Sequence, residues 1–153
     1  MAEIRRILDQ EGEAVAGLWD EMARSLADGG PLSPRGRRNI ARMLEACAWH
    51  HEAFCLVADD GDRVVGFVNG ALSAGDGLLP GLTGEIESLY VSPDARGRGL
   101  SGQLAEAAIA WLRRGGAGTI RQLTCIDDQR ARELWLAHGF ERDMVCLSLY
   151  AED

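Results

Sequence analysis

Leu89-Tyr90-Val91-Ser92-Pro93-Asp94-Ala95-Arg96-Gly97-Arg98-Gly99-Leu100-Ser101-Gly102 is the stretch on which the reading of this chain turns. Its start reads as a strand. Pro93-Asp94 is a turn signal. Two glycines follow, and then a helix begins. The first N–H groups of a helix have no partner within it, and the helix dipole adds partial positive charge there. Such an end is an anion site. Glycines let anion oxygens approach the main chain closely. Arg96 and Arg98 add positive charge to a chain that is otherwise acidic.

Gly97-x-Gly99-x-x-Gly102 also spells the dinucleotide fingerprint. That motif needs its first glycine directly after the strand and an acidic residue about 20 positions on. Here Ser92 to Arg96 intervene, and the next acidic strand end, Asp127-Asp128, lies too far along. The context therefore excludes the doubly wound nucleotide fold.

Outward from the loop, upstream residues 85–91 are a strand and downstream residues 99–114 a helix. Leu100, Leu104, Ala108, Trp111 and Leu112 form the inner face of that helix. Residues 120–126 read as a strand and 129–138 as a short helix ended by Gly139. Residues 140–150 read as one or two final strands. On the N-terminal side, residues 4–8 are strand-like and 11–26 helical, with Val15, Leu18, Trp19, Met22 and Leu26 as the apolar stripe. Gly29-Gly30-Pro31 stops that helix. Ser33-Pro34 caps a second one, with Ile40, Met43, Leu44 and Cys47 on one face. A hairpin follows, with strands 53–58 and 64–68 about Asp60-Gly61. Residues 74–82 are a glycine-rich loop. The order is β-α-α-β-β-β-α-β-α-β: an α+β fold with a mixed, mostly antiparallel sheet flanked by helices. It reads as one domain, 1–153.

Composition narrows the function. The chain has 153 residues and a formal net charge of -8. A general nucleic-acid binder needs a basic face, so that class is disfavoured. The acidity reads first as a means of solubility, with attraction of a cationic acceptor as the alternative. The charged N-terminus lacks a signal-peptide core, and no stretch is long and apolar enough to span a membrane. Cys47, Cys55, Cys125 and Cys146 form no C-x-x-C pair and no zinc pattern, so no metal is expected. They read as small core residues in a reducing, cytoplasmic setting. Trp19, Trp49 and Trp111 read as packing residues, and Tyr90 as core. His50 and His51 read as a polar helix end, with the acceptor cleft as the alternative.

Arg96, Gly99 and Ser101 match the R/Q-x-x-G-x-G/A motif, and on these residues the chain resembles the GNAT family of N-acetyltransferases. Ala131-x-x-x-Trp135-x-x-x-Gly139-Phe140 resembles a second family stretch, N-x-x-A-x-x-x-Y-x-x-x-G-F. The resemblance runs from Ile4 to Phe140. It implies acetyl transfer from acetyl-CoA, used as co-substrate, to a primary amine. It implies that the backbone amides of Arg98, Gly99, Leu100, Ser101 and Gly102 hold the pyrophosphate, with Arg96 and Gly97 in the same cofactor-binding loop. The strand with Leu89 and Val91 would pair with the pantetheine, and the thioester would sit where that strand splays from the next. Glu87, or else Glu85, would be the general base; on a regular strand both share a face with Leu89 and Val91.

Two departures stand in the second stretch. Asp128 occupies the usual asparagine position. Trp135 replaces the tyrosine that commonly protonates the CoA thiolate; an indole N–H can donate a hydrogen bond but is not an acid at neutral pH. Both belong to the expected cofactor-binding set. A small-molecule amine is the favoured acceptor. A protein N-terminus or lysine, and a non-catalytic acyl-CoA sensor, are the alternatives. A homodimer is compatible with the sequence.

Overall fold

Asp59, Asp60 and Gly61 fix the hairpin from which the sheet grows. Gly61 has a φ of 100°, and its amide donates to Asp59 Oδ1 at 2.9 Å. Asp60 Oδ1 accepts from the amides of Asp62 and Arg63, each at 3.0 Å. These backbone donors hold both carboxyls below the usual range. The turn joins strands β2 (Ala53–Asp59) and β3 (Val64–Ser73).

A computed structural model of the chain describes residues 2–26, 29–75 and 77–151. Asp76 of the glycine-rich loop lies outside the described residues, as do the first residue and the last two. The other elements are β1 (Glu3–Arg6), α1 (Gly12–Ser25), α2 (Pro34–Ala46), β4 (Leu82–Val91), α3 (Leu100–Arg114), β5 (Ala117–Gln122) and α4 (Gln129–Ala137). A single 3-10 turn, Pro93–Ala95, precedes α3. The five strands lie in the order β1-β2-β3-β4-β5. Every pairing is antiparallel except β4 with β5, which is parallel.

The sheet is buried on both faces, and β2 shows why. Phe54, Leu56 and Ala58 enter one cluster with Leu104, Ala108 and Leu112 of α3. Cys55 and Val57 enter the other with Val15 and Leu18 of α1 and Leu44 of α2. Period-two alternation of apolar side chains thus serves two cores. Phe54 lies against Trp111 with ring centroids 4.7 Å apart, and Phe67 stacks on Trp19 at 5.6 Å. Ser33 caps α2 as expected, its Oγ accepting from the Gly36 amide at 3.0 Å.

Several expectations need correction. β5 starts directly after Gly115-Gly116 and ends at Gln122, because its parallel partner on β4 spans only Leu82–Ile86. Leu123 and Ile126, expected inside the strand, are 76% and 85% exposed. Among the described residues, none beyond Phe140 lies in a strand. Trp49 is 63% exposed rather than packed. Cys47 and Cys55 are buried, but Cys125 and Cys146 are exposed. Met43 faces solvent, and Tyr90 is core. Among the described residues no helix is long and apolar enough to cross a membrane.

Candidate active site

The register of β4 against β3 breaks at one residue. Asn69 pairs with Ser88, but Gly70 pairs with Ile86. Glu87 is the extra residue, a β-bulge. Gly70 makes the local geometry possible: a Cβ there would lie 2.0 Å from the Glu85 carbonyl oxygen and 2.8 Å from the Phe54 ring.

The bulge changes which side chains share a face. Ile86, Leu89 and Val91 all pack in the α3-side cluster. Regular alternation would put Leu89 and Val91 with Glu87. Instead Glu87 turns toward the α1–α2 side, where its charge helps raise the Cys47 thiol pKa, though burial is the main cause. Asn69 Nδ2 donates to Glu87 Oε2 at 3.1 Å. The expectation that Glu85 and Glu87 share a face with Leu89 and Val91 is therefore corrected.

The same residue marks a fork. β5 pairs with β4 up to Ile86 opposite Gln122, and no further. Among the described residues, Ser88 to Val91 of β4 are paired only with β3. A free strand edge can take an extended ligand arm through main-chain hydrogen bonds. Glu85 sits inside the paired segment, opposite Arg121 and Ala71. Glu87 sits at the mouth.

At the end of β4 the chain turns through Pro93–Ala95, with the Ala95 amide donating to the Ser92 carbonyl at 2.9 Å. The Asp94 carboxylate pairs with Arg63 of the hairpin. Gly97 and Gly99 have φ of 83° and 75°, in the left-handed region. A Cβ at either would meet no atom within 4 Å, so both glycines border open space. Gly99 is the N-cap of α3 and has no side chain with which to cap it. The amides of Leu100, Ser101 and Gly102 form the first turn of that helix. Arg98 is exposed beside them. Arg96 turns back instead. Its Nε donates to the Val91 carbonyl at 3.1 Å, and its guanidinium lies 5.6 Å from the Tyr90 ring centroid. It braces the turn.

Within the fold, residues of the second motif cap and pack α4. Asp128 caps α4, its Oδ1 accepting from the Ala131 amide at 3.0 Å. Trp135 is only 5% exposed and meets Phe140 edge-on at 5.2 Å. Its carbonyl accepts from the amides of His138 and Phe140. His50 Nδ1 accepts from the amides of Glu52 and Ala53 at 3.0 and 3.1 Å, which makes it the cap of a turn.

Sequence reading missed Asn69. Among the described residues Asn69 Oδ1 is one of two buried side-chain N or O atoms without a hydrogen bond. The residue is 4% exposed. The signal was available: a lone amide interrupts the apolar run Val64-Val65-Gly66-Phe67-Val68.

Comparison with known proteins agrees with this arrangement. The family model described as the acetyltransferase (GNAT) family matches residues 19–140. A mycothiol acetyltransferase of Geodermatophilus obscurus is 33% identical over 107 residues, covering 70% of this chain and 35% of that protein. The chain thus spans about a third of that relative's length. YhfO, an uncharacterized N-acetyltransferase of Bacillus subtilis, is 24% identical over 160 aligned positions, covering 97% of this chain and 99% of the other. The solved structure of aminoglycoside N-acetyltransferase AAC(6')-Iy in complex with CoA matches with a TM-score of 0.78 at 19% identity, covering 100% of this chain and 96% of that one. At that identity the likeness is one of fold.

Proposed function

The chain belongs to the acetyltransferase (GNAT) family, and on that premise we propose that it moves the acetyl group of acetyl-CoA to an amine of a small molecule, with Glu87 as general base. The observation that carries this reading is the coincidence of bulge and fork. The one carboxylate displaced from the strand pleat stands where β4 and β5 part.

The glycine loop fits the pyrophosphate. Open space lies over Gly97 and Gly99, the first turn of α3 supplies amides, and Arg98 supplies charge. From there the free edge of β4 leads back toward Glu87, the path for the pantetheine arm. The acceptor enters as an ammonium, which the acidic chain attracts. Glu87 takes its proton. The amine nitrogen bonds to the acetyl carbon and gives up a further proton to solvent as the carbon–sulfur bond breaks to release CoA thiolate. A thiol pKa of about 8.5 makes that an adequate leaving group without an acid. Water protonates it, in keeping with Trp135 in place of tyrosine and its burial against Phe140. Asn69 holds the Glu87 carboxylate, and its unpartnered Oδ1 is an acceptor for a water or amine N–H.

The names of mycothiol and aminoglycoside acetyltransferases among the similar proteins support a small-molecule acceptor. Calorimetry tests the first half: CoA and acetyl-CoA bind and NAD does not. NAD binding without CoA binding sinks the reading. Thiol release across a panel of amines tests the second half. Tight acetyl-CoA binding with no turnover on any amine or peptide favours a sensor, the reading that Trp135 alone would support.

A further inference from the structure

Glu85 and Glu87 lie on one face of the sheet. Ala71 is the cross-strand partner of Glu85. The neighbours of Ala71 point to the α3 side: a Cβ on Gly70 would meet the Phe54 ring, and Leu72 packs in the α3-side cluster. Ala71, and Glu85 beside it, therefore face the α1–α2 side. Glu87 reaches that side through the bulge. The helices cover this face only in part. Cys55, Val57, Phe67 and Tyr90 are buried with the apolar side chains of α1 and α2. Toward the start of β2 and β4 the cover stops. Ala53 and Ala71 are half-buried there, and Glu85 and Glu87 are exposed. Small side chains thus leave a shelf that carries two carboxylates.

The protein leaves these charges largely uncompensated. Among the described residues Glu85 takes part in no ion pair and no side-chain hydrogen bond, and Arg121, opposite it on β5, forms none with it. Glu87 has the Asn69 amide alone. Asn69 adds an independent sign of a missing ligand. It is 4% exposed, and its Oδ1 has no partner. The carboxamide touches Glu87 through Nδ2, so its free oxygen lies at the same end of the shelf. A buried carbonyl oxygen without a donor is costly, and native proteins rarely keep one. An alkylammonium carries several N–H donors. At this place it meets the Glu87 carboxylate and Asn69 Oδ1 together.

We propose that the shelf holds an acceptor with two ammonium groups, a short aliphatic diamine or a larger molecule carrying such a pair. One nitrogen reacts at Glu87 and Asn69 while Glu85 holds the other. The inference rests on Glu87 as the general base and names the class of acceptor that base serves. The strand sets the spacing: two residues advance about 6.5 Å, within reach of a short carbon chain. The two carboxylates take different parts. Glu85 lies where β4 is paired on both sides, so the anchor is fixed, and Glu87 stands at the mouth of the fork. Once Glu87 has taken a proton from the reacting nitrogen, the second ammonium keeps its charge and holds the molecule during attack. A monoamine leaves Glu85 without a partner. An acceptor bearing a carboxylate or phosphate meets two charges of its own sign and is turned away.

Straight-chain diamines and monoamines of matched length test this, by turnover with acetyl-CoA and by calorimetry on the CoA-loaded protein. Putrescine should exceed butylamine roughly tenfold or more in kcat/KM and in affinity, the scale of a hydrogen bond to a charged group. Glu85→Gln should bring the ratio of diamine to monoamine close to one, chiefly through KM. Glu85→Asp keeps the charge and should restore most of the ratio. A protein with no preference for the diamine at any chain length overturns the proposal, and so does a Glu85→Gln variant that retains the preference. Calorimetry separates this inference from the reading it rests on. Diamine binding that depends on Glu85, in a protein that acetylates no amine, keeps the anchor and removes Glu87 as base. Butylamine turnover that depends on Glu87, with no diamine preference, keeps the base and removes the anchor.

Discussion

Asn69 Nδ2 donates to Glu87 Oε2 at 3.1 Å, from the strand beside the bulge to the residue that forms it. The amide fixes one carboxylate oxygen of Glu87. Asn69→Leu keeps the size and removes the donor. A hydrogen bond to a charged group contributes about 1.5–3 kcal/mol, so turnover should fall roughly 10–100-fold, with acetyl-CoA affinity little changed. Stability should hold or rise, because the variant also removes the unpartnered Oδ1. Steady-state kinetics beside urea unfolding reads both. Equal loss of activity and stability would make Asn69 a packing residue only.

Gly99 caps α3 with a φ of 75° and borders open space. Gly99→Val should weaken CoA binding at least tenfold, since a branched side chain would stand where a phosphate approaches the amides. It also strains the backbone by about 1–2 kcal/mol. Gly116→Val is the control: its φ is 97°, and it lies past the other end of α3. That variant should show the strain without the loss of affinity. Calorimetry on folded protein decides, and an unchanged dissociation constant for Gly99→Val removes the phosphate role. Arg96→Ala should weaken binding less, because Arg96 braces the Val91 carbonyl rather than facing the open loop.

Local signals carried most of the fold. Asp60-Gly61, Ser33-Pro34 and the stripe from Leu100 to Leu112 each act within a few residues, and each was legible. The bulge was not. Strand parity assumes a regular pleat, and what breaks it here is the fit of Gly70 against Phe54 and the Glu85 carbonyl, residues far apart in the chain. Hence Glu87 was assigned the wrong neighbours on its strand. The C-terminal segment failed differently. Its composition favours a strand, but a strand forms only where an edge pairs with it. Trp49, Cys125 and Cys146 were assigned to the core from residue type alone, which is a weak guide at chain turns and tails.

Acid should destabilise the fold through carboxylates tied to the first strand and helices. Glu11 is held below its usual range by Arg5, which donates to it at 2.8 and 2.7 Å. Asp20 is held down first by the Leu32 amide at 2.7 Å. A group whose folded pKa is depressed stabilises the fold above its unfolded value, and that contribution disappears as the pH falls through the folded value. The unfolded values are about 4, so the urea midpoint should be flat near neutrality and drop below about pH 4. Arg5→Gln should lower the midpoint at neutral pH and flatten the acid decline. A parallel decline in both proteins would remove the Arg5 pair as its cause.

Trp135 separates chemistry from packing. The indole is buried with Phe140. Trp135→Phe should cost about 1–3 kcal/mol of stability by leaving a cavity. Turnover at a temperature where the variant is folded should stay within about tenfold if water protonates the thiolate. A loss beyond about a hundredfold, or about 2.7 kcal/mol of barrier, would assign the indole N–H a direct part in the reaction.

Glu87→Gln tests the base. The substitution keeps the shape and can still meet Asn69, but it removes the basicity. A free alkylamine is almost fully protonated at neutral pH, so a nucleophile must be made at the site. General-base catalysis contributes about 10²–10⁴-fold. Turnover should fall within that range while the acetyl-CoA dissociation constant stays near its original value, because the loop proposed to hold the pyrophosphate lies at the far end of β4. The deficit should shrink as pH rises, since solvent then deprotonates the amine instead. Glu85→Gln is the necessary comparison. Glu85 lies within the β4–β5 pairing and ahead of the fork, so its loss should cost less than tenfold. If Glu85→Gln is the slow enzyme and Glu87→Gln is normal, the base is Glu85 and the bulge serves only to open the fork. If both variants turn over normally at neutral pH, neither carboxylate takes the proton.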